Sequence, residues 1–145
     1  MTMKKTLPMT NNMLITGAAQ RIGAALAEEM AAEGWHVCIH YNASQAQAEK
    51  VADAIISKGG KASIFHANLA AAEGPENLII QCQDGIGPLS CLINNASIFE
   101  YDDVDSLNGE MLDLHHAVNV RAPLLLSQAF SKRIPKNVTC NIVNI

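Results

Sequence analysis

Thr16-Gly17-Ala18-Ala19-Gln20-Arg21-Ile22-Gly23 is the stretch that decides the fold of this chain. A short apolar run, Met13-Leu14-Ile15, stands before it. After it, Ile22, Ala25, Leu26 and Met30 recur at helical spacing until Gly34 stops the pattern. A strand that turns into a helix through small residues lets a pyrophosphate approach the backbone. The helix N-terminus then offers free N–H groups and the positive end of its dipole. The two glycines lie six positions apart with Arg21 between them, so the spacing departs from G-x-G-x-x-G. Taken alone, such a turn also serves as a tight strand-to-helix connection.

The same alternation continues outward from this turn. Further strands are predicted at 37–39, 62–66, 91–93 and 138–145. Ser44 is a candidate N-cap for a helix carrying Ala48, Val51, Ala52, Ile55 and Ile56 on one face, ended by Gly59-Gly60. Pro75 can open the next helix, which runs to about Asp84. A longer one starts near Asn108, with Met111, Leu114, Val118, Ala122 and Leu125 as its buried stripe and Pro123 as an internal kink. Strands separated by helices form βαβ units on a parallel sheet. Right-handed crossovers give an α/β, doubly wound, Rossmann-like sheet in the order 3-2-1-4-5, with a ligand crevice between strands 1 and 4. Ile142, Val143 and Ile145 read as a central strand rather than an edge. Residues 1–145 are therefore expected to be the N-terminal dinucleotide-binding part of a single domain that is incomplete at its C-terminus.

Composition narrows the function classes. The 145 residues are 49% hydrophobic and 17% charged, a globular profile, with a formal net charge of −4. No Lys/Arg-rich stretch points to nucleic acid, and no apolar run approaches the roughly 18 residues of a membrane span. Lys4 and Lys5 are followed by no apolar segment of the secretory kind. Cys38, Cys82, Cys91 and Cys140 lie far apart without a CxxC, which reads as reduced thiols of a cytoplasmic protein. The five histidines show no metal-ligand spacing, and adjacent His115 and His116 face different sides of a helix, so no metal site is expected. Asp102, Asp103 and Asp105 lack EF-hand spacing and read as a solvated loop.

Several motifs together carry a resemblance. The turn at 16–23 resembles the TGxxxGxG element of the short-chain dehydrogenase/reductase family, with Arg21 at the middle glycine. That variant is similar to the pteridine reductase branch. Asn94-Asn95-Ala96-Ser97 resembles the family's NNAG element in the form ending in Ser. The run from Val118 to Pro123 resembles the helix with the family's catalytic Asn, and 141–145 resembles the strand leading to its catalytic Ser. The similarity runs in order from Met13 onward.

The cofactor reading follows. NAD-preferring members of such folds place an acid near the end of strand 2. Here His40-Tyr41-Asn42-Ala43-Ser44 contains none, and Arg21 stands where it can pair with a 2′-phosphate. This argues for NADP(H), although Arg21 can also be merely solvated and Ser44 merely a cap. Asn68 stands where the family usually has an Asp that accepts from the adenine amino group; it keeps a carbonyl acceptor or serves only as a turn residue. The expected cofactor-binding set is Gly17, Ala19, Arg21, Ile22, Gly23, His40, Tyr41, Asn42, Ser44, Asn68, Leu69, Asn95, Ala96 and Ser97.

For catalysis, the resemblance implies an Asn-Ser-Tyr-Lys set. Asn119 matches the Asn, which holds a proton-relay water through a break in its helix, or else it is an ordinary helical residue. Neither Tyr41 nor Tyr101 is followed by Lys four positions on, so the Ser and the Tyr-x-x-x-Lys pair are expected beyond Ile145 and the chain alone is expected to be inactive. Phe99 matches an aromatic that stacks on a pterin, or is a plug under its loop; Ser97 bonds the pterin or a cofactor phosphate. The implied activity is NADPH-dependent reduction of a dihydropterin or folate-like small molecule by a homo-oligomer, tetrameric when intact. The rivals are a 3-oxoacyl-thioester reductase and a non-catalytic dinucleotide-binding module. A protein ending at Ile145 is expected not to persist as a soluble folded monomer. Intact mass with light scattering checks this, and a cooperatively melting monomer of that mass overturns the central-strand reading.

Overall fold

The computed structural model describes residues 10–136 and 138–145. Five strands alternate with helices. They are β1 (Asn12–Ile15), α1 (Arg21–Ala32), β2 (His36–Tyr41), α2 (Gln45–Ser57), β3 (Lys61–His66), α3 (Gly74–Ile86), β4 (Cys91–Asn94), α4 (Gly109–His116), a π turn (Ala117–Arg121), α5 (Ala122–Lys132) and β5 (Asn141–Asn144). The sheet is parallel in the order β3-β2-β1-β4-β5, as the alternation predicts. Ile15 pairs with Ile39 on one side and Ile93 on the other, so β1 and β4 end within a residue of each other and β2 runs two residues further. The turns that follow them consequently open on one crevice. β5 stands at the end of this order, beside β4, and its four residues are exposed.

Strands β1, β2 and β4 are covered on both faces. Ile15, Val37 and Ile39 are fully buried with α1 and α2 on one face; Leu14, Leu92, Leu78 and Phe130 are fully buried on the other. Each such side chain contributes roughly 1.5–3 kcal/mol. The four cysteines are free thiols; three are buried and Cys140 is half-buried. No described helix is long and apolar enough to cross a membrane.

Two helices bury different faces from those their large residues suggest. In α1 the buried positions are Gly23, Ala27 and Ala31, while Ile22 is 60% exposed, Ala25 is exposed, and Leu26 and Met30 are only partly covered. The helix lies so close to the turn before it that only small residues fit. A Cβ on Gly23 would lie 2.3 Å from the Gly17 carbonyl oxygen and 2.6 Å from Asn95 Nδ2. In α2, Ala48, Ala52 and Ile55 are buried while Ile56 is exposed.

The long helix starts as expected, with Asn108 Oδ1 accepting from the Met111 N–H at 3.0 Å. At its predicted kink lies a π turn, in which Ala122 N–H reaches back five residues to the Ala117 carbonyl. Pro123 has no N–H to give Asn119 four residues earlier, so the α-helical ladder cannot run through this point. The extra residue shifts the buried stripe by one. Leu114 is exposed, Leu125 is only half-buried, and Leu126, Ala129 and Phe130 are buried.

Gly23→Ala should cost about 2–3 kcal/mol, because backbone and the Asn95 amide would both have to move. Urea unfolding of the variant checks this. A loss under ~0.5 kcal/mol, the range of an ordinary surface change, would show that α1 can retreat freely.

Candidate functional site

The turn between β1 and α1 is held from two sides. Gly17 takes φ +64° and donates its N–H to His40 Nδ1 at 3.0 Å; Ala18 N–H donates to the His40 carbonyl at 3.0 Å. Helix α1 then begins uncapped. Gln20 at its N-cap makes no side-chain bond to the first turn, and that turn carries no acid. Its N–H groups and dipole end are thus uncompensated by the protein, as an anion site requires. Arg21 takes φ +52°, the one non-glycine residue with positive φ among the described residues. That conformation costs about 1–2 kcal/mol for a residue with a Cβ.

Thr16 and Asn95 fasten this turn to the turn after β4. Thr16 Oγ1 accepts from the N–H groups of Asn95 (3.0 Å) and Ala96 (2.9 Å). Asn95 Nδ2 donates to the carbonyls of Thr16 (2.9 Å) and Gly17 (3.2 Å). Sequence reasoning did not single out Thr16, whose buried hydroxyl does this holding.

His40 is a clasp. Its Nε2 lies 3.0 Å from the Ala67 carbonyl, which can only accept, so Nε2 carries the proton and Nδ1 is free to accept from Gly17. The ring ties the phosphate-type turn to the loop after β3. Burial pushes its pKa down to about 4, with the Ala67 bond opposing and His66 adding to the fall. Next to it, Asn68 Oδ1 accepts from the Ala70 N–H at 3.0 Å, the turn role, which leaves its amide NH2 and one lone pair free. Ser44 sits at the N-cap of α2 but makes no cap bond; its Oγ accepts from Gln20 Nε2 at 3.3 Å, across the crevice mouth.

These elements enclose a cavity of ~420 Å³. All fourteen residues of the expected cofactor set line it, from Gly17 and Ala19 through Arg21, Ile22, Gly23, His40, Tyr41, Asn42 and Ser44 to Asn68, Leu69, Asn95, Ala96 and Ser97. Gln20, Ala43, Ile98 and Val118 line it as well, unforeseen because nothing local marks them. No Asp or Glu is among the lining residues. An uncapped helix end, an arginine at the rim and the lack of carboxylates fit a ligand with a pyrophosphate and a further phosphate.

Two expected residues stand outside the cavity. Asn119 lies in the π turn and its side chain grips the loop after β4: Ile98 N–H donates to Oδ1 and Nδ2 donates to the Ile98 carbonyl, both at 2.9 Å. The helix break that the resemblance implies is present, and the side chain is already spent on the loop. Phe99 is 81% exposed, so it is no plug under its loop. At the other end of the π turn, the Arg121 guanidinium donates to the Ala70 carbonyl.

Comparison with known proteins agrees with this geometry. Residues 11–145 match the model of the short chain dehydrogenase family. FolM, alternative dihydrofolate reductase 1 from Brucella canis, solved with NADP, superposes with a TM-score of 0.86 at 36% identity, over 94% of this chain and 55% of that one. The 3-oxoacyl-[acyl-carrier-protein] reductase FabG of Staphylococcus aureus is 31% identical over 133 residues, 84% of this chain and 53% of its own length. An uncharacterized oxidoreductase of Methylorubrum extorquens is 33% identical over 132 residues, 91% of this chain and 52% of its own. The chain thus spans about half the length of the curated relatives it matches.

His40 makes folding pH-dependent in a stated direction. Its folded pKa of about 4 lies below the unfolded value of 6.5, so between these the unfolded chain binds the extra proton. The stabilisation is complete above pH 6.5 and is lost as pH falls to about 4, at most ~3.5 kcal/mol at about 1.4 kcal/mol per pH unit. Urea titrations across this range should show the loss in the native sequence and a flatter profile in His40→Gln, whose amide can still donate to Ala67. An equally steep profile in the variant would assign the effect to other groups.

Proposed function

The chain belongs to the short chain dehydrogenase family, and on that premise we propose that it holds NADP(H) and serves the reduction of a C=N bond in a dihydropterin or dihydrofolate. The observation that carries the cofactor choice is the carboxylate-free cavity with Arg21 held at positive φ on its rim. A strained arginine at this position is worth its cost only if the charge is used. The FolM relative, solved with NADP, supports the same reading.

The N–H groups at the start of α1 receive the pyrophosphate, and Arg21 with Ser44 and Asn42 receives the 2′-phosphate. Asn68 and Leu69 flank the adenine, and Asn95, Ala96 and Ser97 border the nicotinamide end. When bound, the cofactor supplies the hydride. Phe99 then offers a flat apolar face beside that end for an aromatic substrate. Asn119 fixes the substrate-side loop through Ile98, and because Pro123 offers no N–H its carbonyl lacks an α-type partner, the break at which a relay water would be held. The family's catalytic Ser and its Tyr-x-x-x-Lys pair, whose Tyr donates the proton, have no counterpart among these 145 residues. In this reading the chain contributes the cofactor-holding part of one Rossmann-like domain. Exposed Leu112, Val120 and Leu124 on the long helix suit a homo-oligomeric contact, a tetramer in the intact protein, and the free thiols suit the cytoplasm.

The FabG relatives favour one rival, a carbonyl reductase acting on 3-oxoacyl thioesters. Calorimetry should show NADPH binding well ahead of NADH, with Arg21→Ala costing about 1.5–3 kcal/mol for NADPH alone. Equal affinity for the two would overturn the cofactor assignment. In the intact enzyme, Phe99→Ala should raise KM for a dihydropterin at a cost of about 1 kcal/mol and leave NADPH binding unchanged. Turnover of 3-oxoacyl thioesters without turnover of dihydropterins would transfer the assignment to the rival, and no turnover of either would leave a binding module.

A further inference from the structure

The loop after β4 is held by a side chain beyond those assigned above. His115 Nδ1 lies 2.8 Å from the Met111 carbonyl, an acceptor, so the proton is on Nδ1 and Nε2 is bare. Nε2 accepts the Glu100 N–H at 3.1 Å. One helical turn later, Asn119 both accepts from and donates to the Ile98 backbone. The spacings match. Four residues of helix rise ~6 Å, and two residues of extended chain span ~6.6 Å. The pairing 98 with 119 and 100 with 115 runs antiparallel, so two helix side chains hold the loop at two points.

Phe99 lies between the two pinned residues and is itself held by nothing, at 81% exposure. We propose that His115 is a positioning residue: with Asn119 it forms a two-rung rack that keeps residues 98–100 straight and presents the Phe99 ring to the substrate. The choice of histidine has a reason. A helix residue must reach past its own turn to an N–H on a separate segment. An imidazole locked by its own i−4 carbonyl does this with little freedom left to lose. Leucine or alanine at this position would leave the Glu100 amide to water and the loop hinged at Ile98. The inference rests on the reading that Phe99 contacts substrate, but the rack itself is testable without it.

The test uses the intact NADPH-bound enzyme and two variants. His115→Phe keeps the ring volume and removes the acceptor; His115→Gln places an amide oxygen near the lost Nε2. Amide exchange at residues 98–101 should quicken roughly three- to tenfold in H115F, the worth of one hydrogen bond, and return toward the native rate in H115Q. KM for a dihydropterin should rise by a similar factor in H115F alone, with kcat and NADPH affinity within about twofold of native. Unchanged exchange in H115F overturns the rack, as does an H115Q variant equal to H115F. Faster exchange with an unchanged KM overturns the positioning role. If the native enzyme turns over no dihydropterin, exchange still decides the rack and only the substrate reading falls.

Discussion

One hydroxyl group sets the width of the crevice. Thr16 Oγ1 takes two backbone N–H groups from the far turn, and the Asn95 amide returns two bonds to the near one. The strands alone would bring β1 and β4 together as neighbours and leave their exit turns to diverge. With this cross-tie the turns leave in a fixed relation, and everything else at the site is arranged about it. Gly23 must be glycine because α1 packs against both partners of the tie at once. The close approach in turn forces α1 to bury alanines rather than its larger residues, leaving Ile22 to face the cavity.

The site is built mainly of backbone, and side chains serve to hold backbone in place. His40, Asn68, Asn95, Asn119 and Arg121 all bond main-chain atoms of a separate loop or of their own turn. Such an arrangement suits a ligand recognised by its phosphates, because N–H groups fixed by a rigid frame need no reorganisation when the charge arrives. Arg21 is the exception, a free charge on a strained backbone. Its backbone conformation costs stability at the edge of the cavity.

The sheet order was legible because alternation of strand-length and helix-length runs admits few topologies once crossovers are right-handed. The cavity lining was legible because the turns after neighbouring parallel strands open on the same end of the sheet. What escaped the sequence has a common cause. Hydrophobic periodicity weights large residues, so it chose Ile22 and Leu26 where tight packing selects Gly23 and Ala27. It also assumes an unbroken 3.6-residue period, and so placed Leu125 where the π turn puts Leu126. Ser44 reads as a cap because serine so often is one, yet its oxygen accepts a hydrogen bond from the Gln20 amide, a partner distant in sequence. Thr16 and His115 have no local signature, since their bonds are made to residues far along the chain.

The π turn makes the length of the long helix a constraint of its own. The residues before it anchor the loop over the crevice, and those after it, Leu126 and Phe130, are locked into the core. The surplus residue between them acts as a phase adjuster: it lets one continuous rod present unrelated faces to two surroundings. Removing a single residue from 117–121 would take out the surplus and turn one half of the helix by about 100° against the other. Either the core or the loop would then lose its partner. Substitutions here can therefore be absorbed one at a time, whereas a one-residue deletion cannot, and lineages of this fold should vary in the spelling of this segment far sooner than in its count.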